Sequence, residues 1–260
     1  MERYWTALGG ELLKVRRSTI GLLVVLGALF VPAIVLLVRL RHPAGLPAVY
    51  ADPSFWSVLW NSVWEANAVI LVPMLIMLLV SQVVQIEYRN NTWKQVHATP
   101  IHPATVYLAK LTVILGYLVT FFAVVNLATY LTAVLPRLGD RALPDPSRSF
   151  PLAQFAARSF DYLIDNLPIV GLQYLLALHF RSFVVPLGIG MGLWLGVIGC
   201  ISWEYIYVMP YGYHAIDFLR ETSSKIGQGV PIDLQALAVI AFLLFTLIGL
   251  GMFVSKPERG

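Results

Sequence analysis

The sequence predicts an all-α, polytopic membrane protein with six transmembrane helices, preceded by an amino-terminal interfacial helix. Three observations carry that prediction. Of 260 residues, 58% are hydrophobic and only 12% charged, about half the charge of a soluble domain, and the mean hydropathy is +0.74. The apolar residues gather into six runs long enough to span, since crossing the hydrocarbon core takes about 20 residues of helix. Between the second and third runs lies a short, polar, Pro-punctuated segment, 87–110. It is too brief for a domain, so the chain must turn back there at the bilayer surface.

The first element is residues 1–18. Tyr4, Leu8, Leu12 and Val15 recur at helical spacing, with Glu11, Lys14 and Arg17 assigned to the opposite side. Such a helix lies in the headgroup plane with Trp5 as its anchor and its basic residues toward phosphates. The Gly9-Gly10 pair weakens it by roughly 1 kcal/mol per glycine relative to alanine.

The six spans are placed at 19–38, 66–86, 111–134, 160–178, 182–203 and 234–254. An even number puts both termini on one side. With the termini inside, the short inner segments hold ten Lys and Arg against eight in the longer outer loops. The positive-inside rule then favours cytoplasmic termini and a multi-pass protein of the cytoplasmic membrane. No internal repeat or soluble domain interrupts the pattern, so residues 1–260 read as a single transmembrane domain.

The segment between spans two and three is the most pointed feature. Glu87, Arg89, Trp93, Lys94, Gln95 and His97 form a polar, aromatic-bearing stretch that Pro100 and Pro103 close. Proline disfavours a helical residue before it, and it suits the first position of a new helix, where its missing N–H costs nothing. The order predicted over 87–103 is therefore a short cytoplasmic helix, a break, then span three.

Span five carries Gly188, Gly192, Gly196 and Cys200 at intervals of four, a smooth stripe that admits close approach of another helix. Packing inside the same protomer and contact with a second copy are both open readings. Pro186 is expected to kink this span. In span four, Asp161, Asp165 and Gln173 fall on one face. With Glu65 at the outer end of span two, the two acids could line an outer vestibule. Trp56, Trp60 and Trp64, and the run 203–213, read as interfacial aromatic belts.

Several functions are excluded or disfavoured. No G-x-x-x-x-G-K-[ST] loop is present to cradle nucleotide phosphates. The five histidines are split between the two sides of the membrane, so no metal site is expected. Cys200 is the lone cysteine, which rules out an internal disulfide. A formal charge of +4 is too small and scattered to argue for nucleic acid. No G-x-S-x-G, H-E-x-x-H or paired-acid signature supports an enzyme.

The segment from Glu87 through Asn91-Thr92-Trp93-Lys94 to Pro100 and Lys110 resembles the cytoplasmic coupling region of ABC-2 type transporter permeases. The small six-span permeases of lantibiotic and bacteriocin immunity exporters are the most similar in character. The pattern Glu11-Leu12-Leu13-Lys14 before span one and Leu178-His179-Phe180-Arg181-Ser182-Phe183 before span five extend the likeness. The resemblance implies that the amino-terminal helix and a cytoplasmic coupling helix dock on a separate ABC ATPase. Glu87, Arg89, Trp93, Lys94 and Gln95 would then transmit its closure to the spans. It also implies a second permease copy or paralogue, with spans two and five lining the path. ATP and Mg would be held by the partner and no cofactor by this chain. The amphiphilic cargo expected would be peptide or lipid-like, as in drug or bacteriocin resistance. A stand-alone carrier or channel, or an integral membrane enzyme, is the alternative.

Overall fold

The computed structural model describes residues 2–89, 101–140, 143–146, 149–222 and 233–255, and every regular element among them is helical. In chain order these are α1 (Glu2–Arg16), α2 (Ile20–Arg41), α3 (Leu46–Ala51), α4 (Phe55–Ala66), a π-turn (Asn67–Leu71) and α5 (Val72–Arg89). There follow α6 (Pro103–Gly139), α7 (Leu152–His179), α8 (Val184–Gly199), α9 (Tyr213–Thr222) and α10 (Leu234–Ser255).

The helix α5 is the central post. It packs against α2, α7 and α8 and buries residues around most of its circumference, Val72, Ile76, Val80 and Val84 among them. Around it, α2 lies on α6 and α10 on α7. Both outer helices are apolar all round yet bury only a narrow stripe, which in α2 is Ile20, Val24, Ala28 and Val31. Leu22, Phe30, Ile240 and Leu247 stay exposed on the chain's own surface. A helix of that composition must bury itself in something, and here the bilayer supplies the burial.

Four helical stretches are long and apolar enough to cross a membrane: Ile20–Arg41, Phe55–Arg89, Pro103–Gly139 and Leu234–Ser255. Two of them exceed their expected bounds. The second runs unbroken for 35 residues from Phe55, about 52 Å of helix against a hydrocarbon core of about 30 Å. The other two expected spans are helices of a different kind. α7 has 28 residues but is interrupted by polar groups, and α8 is apolar but only 16 residues long.

Three local expectations change. Trp56, Trp60 and Trp64 are not an interfacial belt: all three are buried, Trp60 and Trp64 completely. They stack with Phe122, Phe155 and Tyr162 of α6 and α7. Their spacing of four, read as a lipid-facing row, is equally that of a core stripe. Pro186 makes no kink, because α8 starts at Val184 and places it in the first turn, where backbone N–H groups lack helical partners anyway. In α1 the buried residues are Ala7, Glu11 and Val15, while Trp5, Leu12 and Leu13 are exposed. The helix is thus rotated from its expected setting, with an acid facing inward.

Candidate functional site

Three charged residues occupy positions where helical periodicity calls for an apolar side chain. Glu11 sits midway between Ala7 and Val15 on the buried stripe of α1. Glu87 continues the Val80, Val83, Val84 face of α5, and Lys110 continues the Val106, Tyr107 face of α6 toward Ile114. Packing α1 onto α6 and the end of α5 brings them together.

The Lys110 ammonium donates to Glu11 Oε2 at 2.5 Å and to Glu87 Oε1 at 2.6 Å. Lys14, one turn after Glu11, donates to Glu11 Oε1 at 2.5 Å and to Glu87 Oε1 at 3.1 Å. Two acids and two lysines cancel, which lets them stay buried: an unpaired ion inside a protein costs several kcal/mol. Lys110 and both acids are nearly inaccessible, and Lys14 retains 34% side-chain exposure. Burial alone would raise the Glu11 carboxyl, but Lys110 and Lys14 overcome it and hold the group below its ordinary value. Burial likewise opposes the charge on Lys14, and Glu11 and Glu87 overcome it, so its pKa is raised.

Further hydrogen bonds extend this unit. Tyr4 Oη and Thr112 Oγ1 join α1 to α6 at 2.7 Å. Gln85 Nε2 donates to the Arg181 carbonyl and Tyr88 Oη to the Leu178 carbonyl, both at 3.1 Å. The end of α5 is therefore tied to α1, to the start of α6 and to the turn between α7 and α8. α6 itself opens at Pro103 after His102, whose ring accepts from the Ala104 N–H at 3.2 Å.

The expected coupling residues divide. Glu87 is fully buried in the cluster, and Arg89 is exposed at the last position of α5. Trp93, Lys94 and Gln95 lie outside the described residues, as does most of the expected helix over 87–103. Glu11, Lys14 and Lys110 were visible in the sequence only as parts of a pattern. Their meeting joins residues 99 positions apart, which spacing cannot reveal.

The glycine stripe faces outward. A Cβ at Gly188, Gly192 or Gly196 would meet nothing within 4 Å, whereas one at Gly190 would come within 2.6 Å of Met77 Sδ and 2.7 Å of Gln173 Oε1. The inner face of α8 is Pro186, Gly190, Trp194 and Val197. Of the expected vestibule residues, Glu65 is exposed, Asp161 is half-buried and Asp165 is completely buried. Near the far end of α4 is a cavity of about 320 Å³ lined by Trp56, Tyr130, Arg137, Asp145 and Phe150, with Arg137 and Asp145 ion-paired.

Long apolar helices around a central post, with a neutralised charge cluster joining α1, α5 and α6 at one end, define a helical membrane protein. Residues 7–197 match the family model described as ABC-2 family transporter protein, and the chain belongs to that family. It is therefore the permease of an ABC transporter, a transport subunit that is not itself catalytic, and permeases of this family work with ABC ATPase partners. The matched stretch contains Glu11, Lys14, Glu87 and Lys110; α9 and α10 lie beyond it. No curated protein and no solved structure matches the chain.

Proposed function

We propose that this chain is the permease of an ATP-driven exporter, moving an amphiphilic, peptide or lipid-like substrate with a separate ATPase subunit that binds ATP and Mg. In this reading the chain crosses the cytoplasmic membrane six times with both termini in the cytoplasm. The observation that carries the reading is the Glu11–Lys110–Glu87–Lys14 cluster. It joins the amino-terminal helix to both helices that flank residues 90–102, the segment where an ATPase would press. A push on that segment is delivered to α5 and α6 together, because their facing charges cannot part without exposing an unpaired ion to a dry interior. Glu87 acts here as an internal strut, and Arg89, Trp93, Lys94 and Gln95 as the contact surface.

Pairing with a second permease, identical or related, is supported by the outward-facing glycines of α8. The aromatic-walled cavity beside Trp56 and Phe150 suits the apolar part of an amphiphile, and the resemblance to immunity exporters favours a peptide. The permease supplies two packings of different stability, and ATP binding elsewhere selects between them.

Co-purification with a co-expressed ABC ATPase from a neighbouring gene tests this reading. The wild-type chain should hold the ATPase in detergent and change its hydrolysis rate, and Trp93→Ala/Lys94→Ala should lose the complex. Lys110→Met/Glu87→Met should still bind the ATPase yet fail to alter its rate. A folded chain that captures no ATPase in any form would overturn the proposal.

A further inference from the structure

The cavity beside Trp56 lies toward the opposite end of α6 from the charge cluster. Lys110 and Arg137 stand on that one helix, about 40 Å apart at ~1.5 Å per residue. A bilayer measures about 40–45 Å including its headgroups. With Lys110 at one surface, Arg137 therefore falls in the headgroup layer of the other, and Tyr130, two turns earlier, at its apolar border. The walls suit that depth. Phe150 stands between Trp56 and Tyr130, its ring centroid 5.0 Å from each, and such rings favour the level where headgroups meet acyl chains. On α6 the exposed Leu127, Leu131 and Leu138 border the lining residues Tyr130 and Val134 at spacings of three and four. The cavity thus continues into an apolar strip on the outside of the helix.

Positive charge exceeds negative here. Arg137 Nη2 is paired with Asp145, while its Nε is buried without a partner. Asp145 is 82% exposed, and an ion pair so open to water contributes little, so a better anion can displace that carboxylate. Arg39 of α2 adds a second cation behind the wall. Its guanidinium carbon lies 5.1 Å from the Phe55 ring and 5.9 Å from the Tyr50 ring. Tyr50 Oη in turn donates at 2.6 Å to the carbonyl of Ala133, a lining residue. Arg39 forms no salt bridge with a described acid, and its Nη1 is buried without a partner. Asp52 and Asp140 are exposed and lie outside the lining, which leaves Asp145 as the single acid among the described lining residues.

We propose that this cavity holds the headgroup of an anionic phospholipid, its phosphate on Arg137 and its acyl chains running along α6 past Leu131 and Leu127. The inference rests on reading the cavity as an amphiphile site and not on the ATPase. The guanidinium edge formed by Nε and Nη2 matches two phosphate oxygens, and phosphate takes the place of Asp145 there. Ser149 lines the same cavity with a hydroxyl that can donate to a further oxygen. A free anion would use Arg137 and leave the three rings and the leucine strip idle. A zwitterionic lipid would bring its own cation to a place that already holds two.

Native mass spectrometry of the purified chain, titrated with phosphatidylglycerol or with phosphatidylcholine of the same acyl chains, reads the site. No ATPase is present, so failure here and failure of the exporter reading are separable. The wild type should retain phosphatidylglycerol about tenfold more tightly or better, the worth of one charge-assisted contact. Arg137→Gln should lose that preference while melting with the wild type. Asp145→Asn, which removes the competing carboxylate, should strengthen it. Equal retention of the two lipids by the wild type overturns the proposal, as does a preference that survives in Arg137→Gln. If Arg137→Gln does not fold, Asp145→Asn decides, and a preference left unchanged or weakened there overturns the proposal too. Glycerol phosphate that displaces the lipid at equal concentration would make this a free-anion site, and an acidic peptide that does so a peptide site. Either result removes the lipid assignment.

Discussion

Lys110 holds Glu87 at 2.6 Å across a stretch of chain that leaves the helices at Arg89 and returns at Pro103. The same ammonium also binds Glu11 of α1. One cation therefore secures three helices, and its removal leaves two buried carboxylates with only Lys14 to answer them. Breaking a buried ion pair from one side costs about 3–5 kcal/mol. Lys110→Met should lower stability by about that amount in a detergent melt, and Glu11→Gln/Lys110→Met/Glu87→Gln should recover most of the loss. A single variant that melts with the wild type would show that the cluster holds nothing together.

Docking of α1 should be insensitive to pH near neutrality and fail at both extremes. Glu11 titrates below its ordinary 4.5 when packed, so its contribution is present above that value and lost as pH falls through the depressed one. Lys14 titrates above its ordinary 10.5, so its contribution is complete below that value and lost as pH rises through the elevated one. Hydrogen exchange over residues 2–16, corrected for intrinsic rates, should show a plateau between about pH 5 and 10. Glu11→Gln should abolish the acid limb. An acid limb that survives the substitution would assign it to another group.

Gly190 and Gly192 should respond oppositely to the same substitution. A side chain at Gly190 drives into Met77 and into Gln173, which is already committed to Ser81 and Tyr211. Overpacking of this kind costs about 1–3 kcal/mol, so Gly190→Leu should depress the melting temperature of the isolated chain. Gly192→Leu projects into open space and should leave that temperature unchanged, lowering only the fraction of paired permease in crosslinking. Equal destabilisation by both would show that Gly192 packs within the protomer.

These glycines also show what the sequence could and could not convey. A period of four in Gly188, Gly192 and Gly196 was legible, but periodicity does not say which face of a helix meets its own protein. Gly190, which lies outside that glycine stripe, is the α8 glycine at which an added Cβ would clash. Four of the six expected spans were legible, because about 20 apolar residues in water have few alternatives. The inward setting of Glu11, Glu87 and Lys110 was not, since each charged residue reads as polar surface until its partner on another helix is known. His214 was set aside as a scattered histidine for the same reason: its neighbours Tyr162 and Asn166 lie on another helix, 52 and 48 residues away in sequence.

The helix α8 is fastened to the turn between α4 and α5. Its Trp194 side chain is buried and donates from Nε1 to the Val69 carbonyl at 2.9 Å. Val69 lies within the π-turn, where the wider backbone spacing departs from the regular ladder and leaves a carbonyl open to an outside donor. The bond therefore pins α8 to the one irregular turn between α4 and α5. Trp194→Phe keeps an aromatic ring and deletes the donor, leaving a buried carbonyl short of a partner at a cost of about 1–3 kcal/mol. The loss should appear as faster hydrogen exchange across 184–199 while α1 and the start of α6 stay protected. If exchange in α8 is unchanged, the indole is a filler of space there, and the π-turn does not need it.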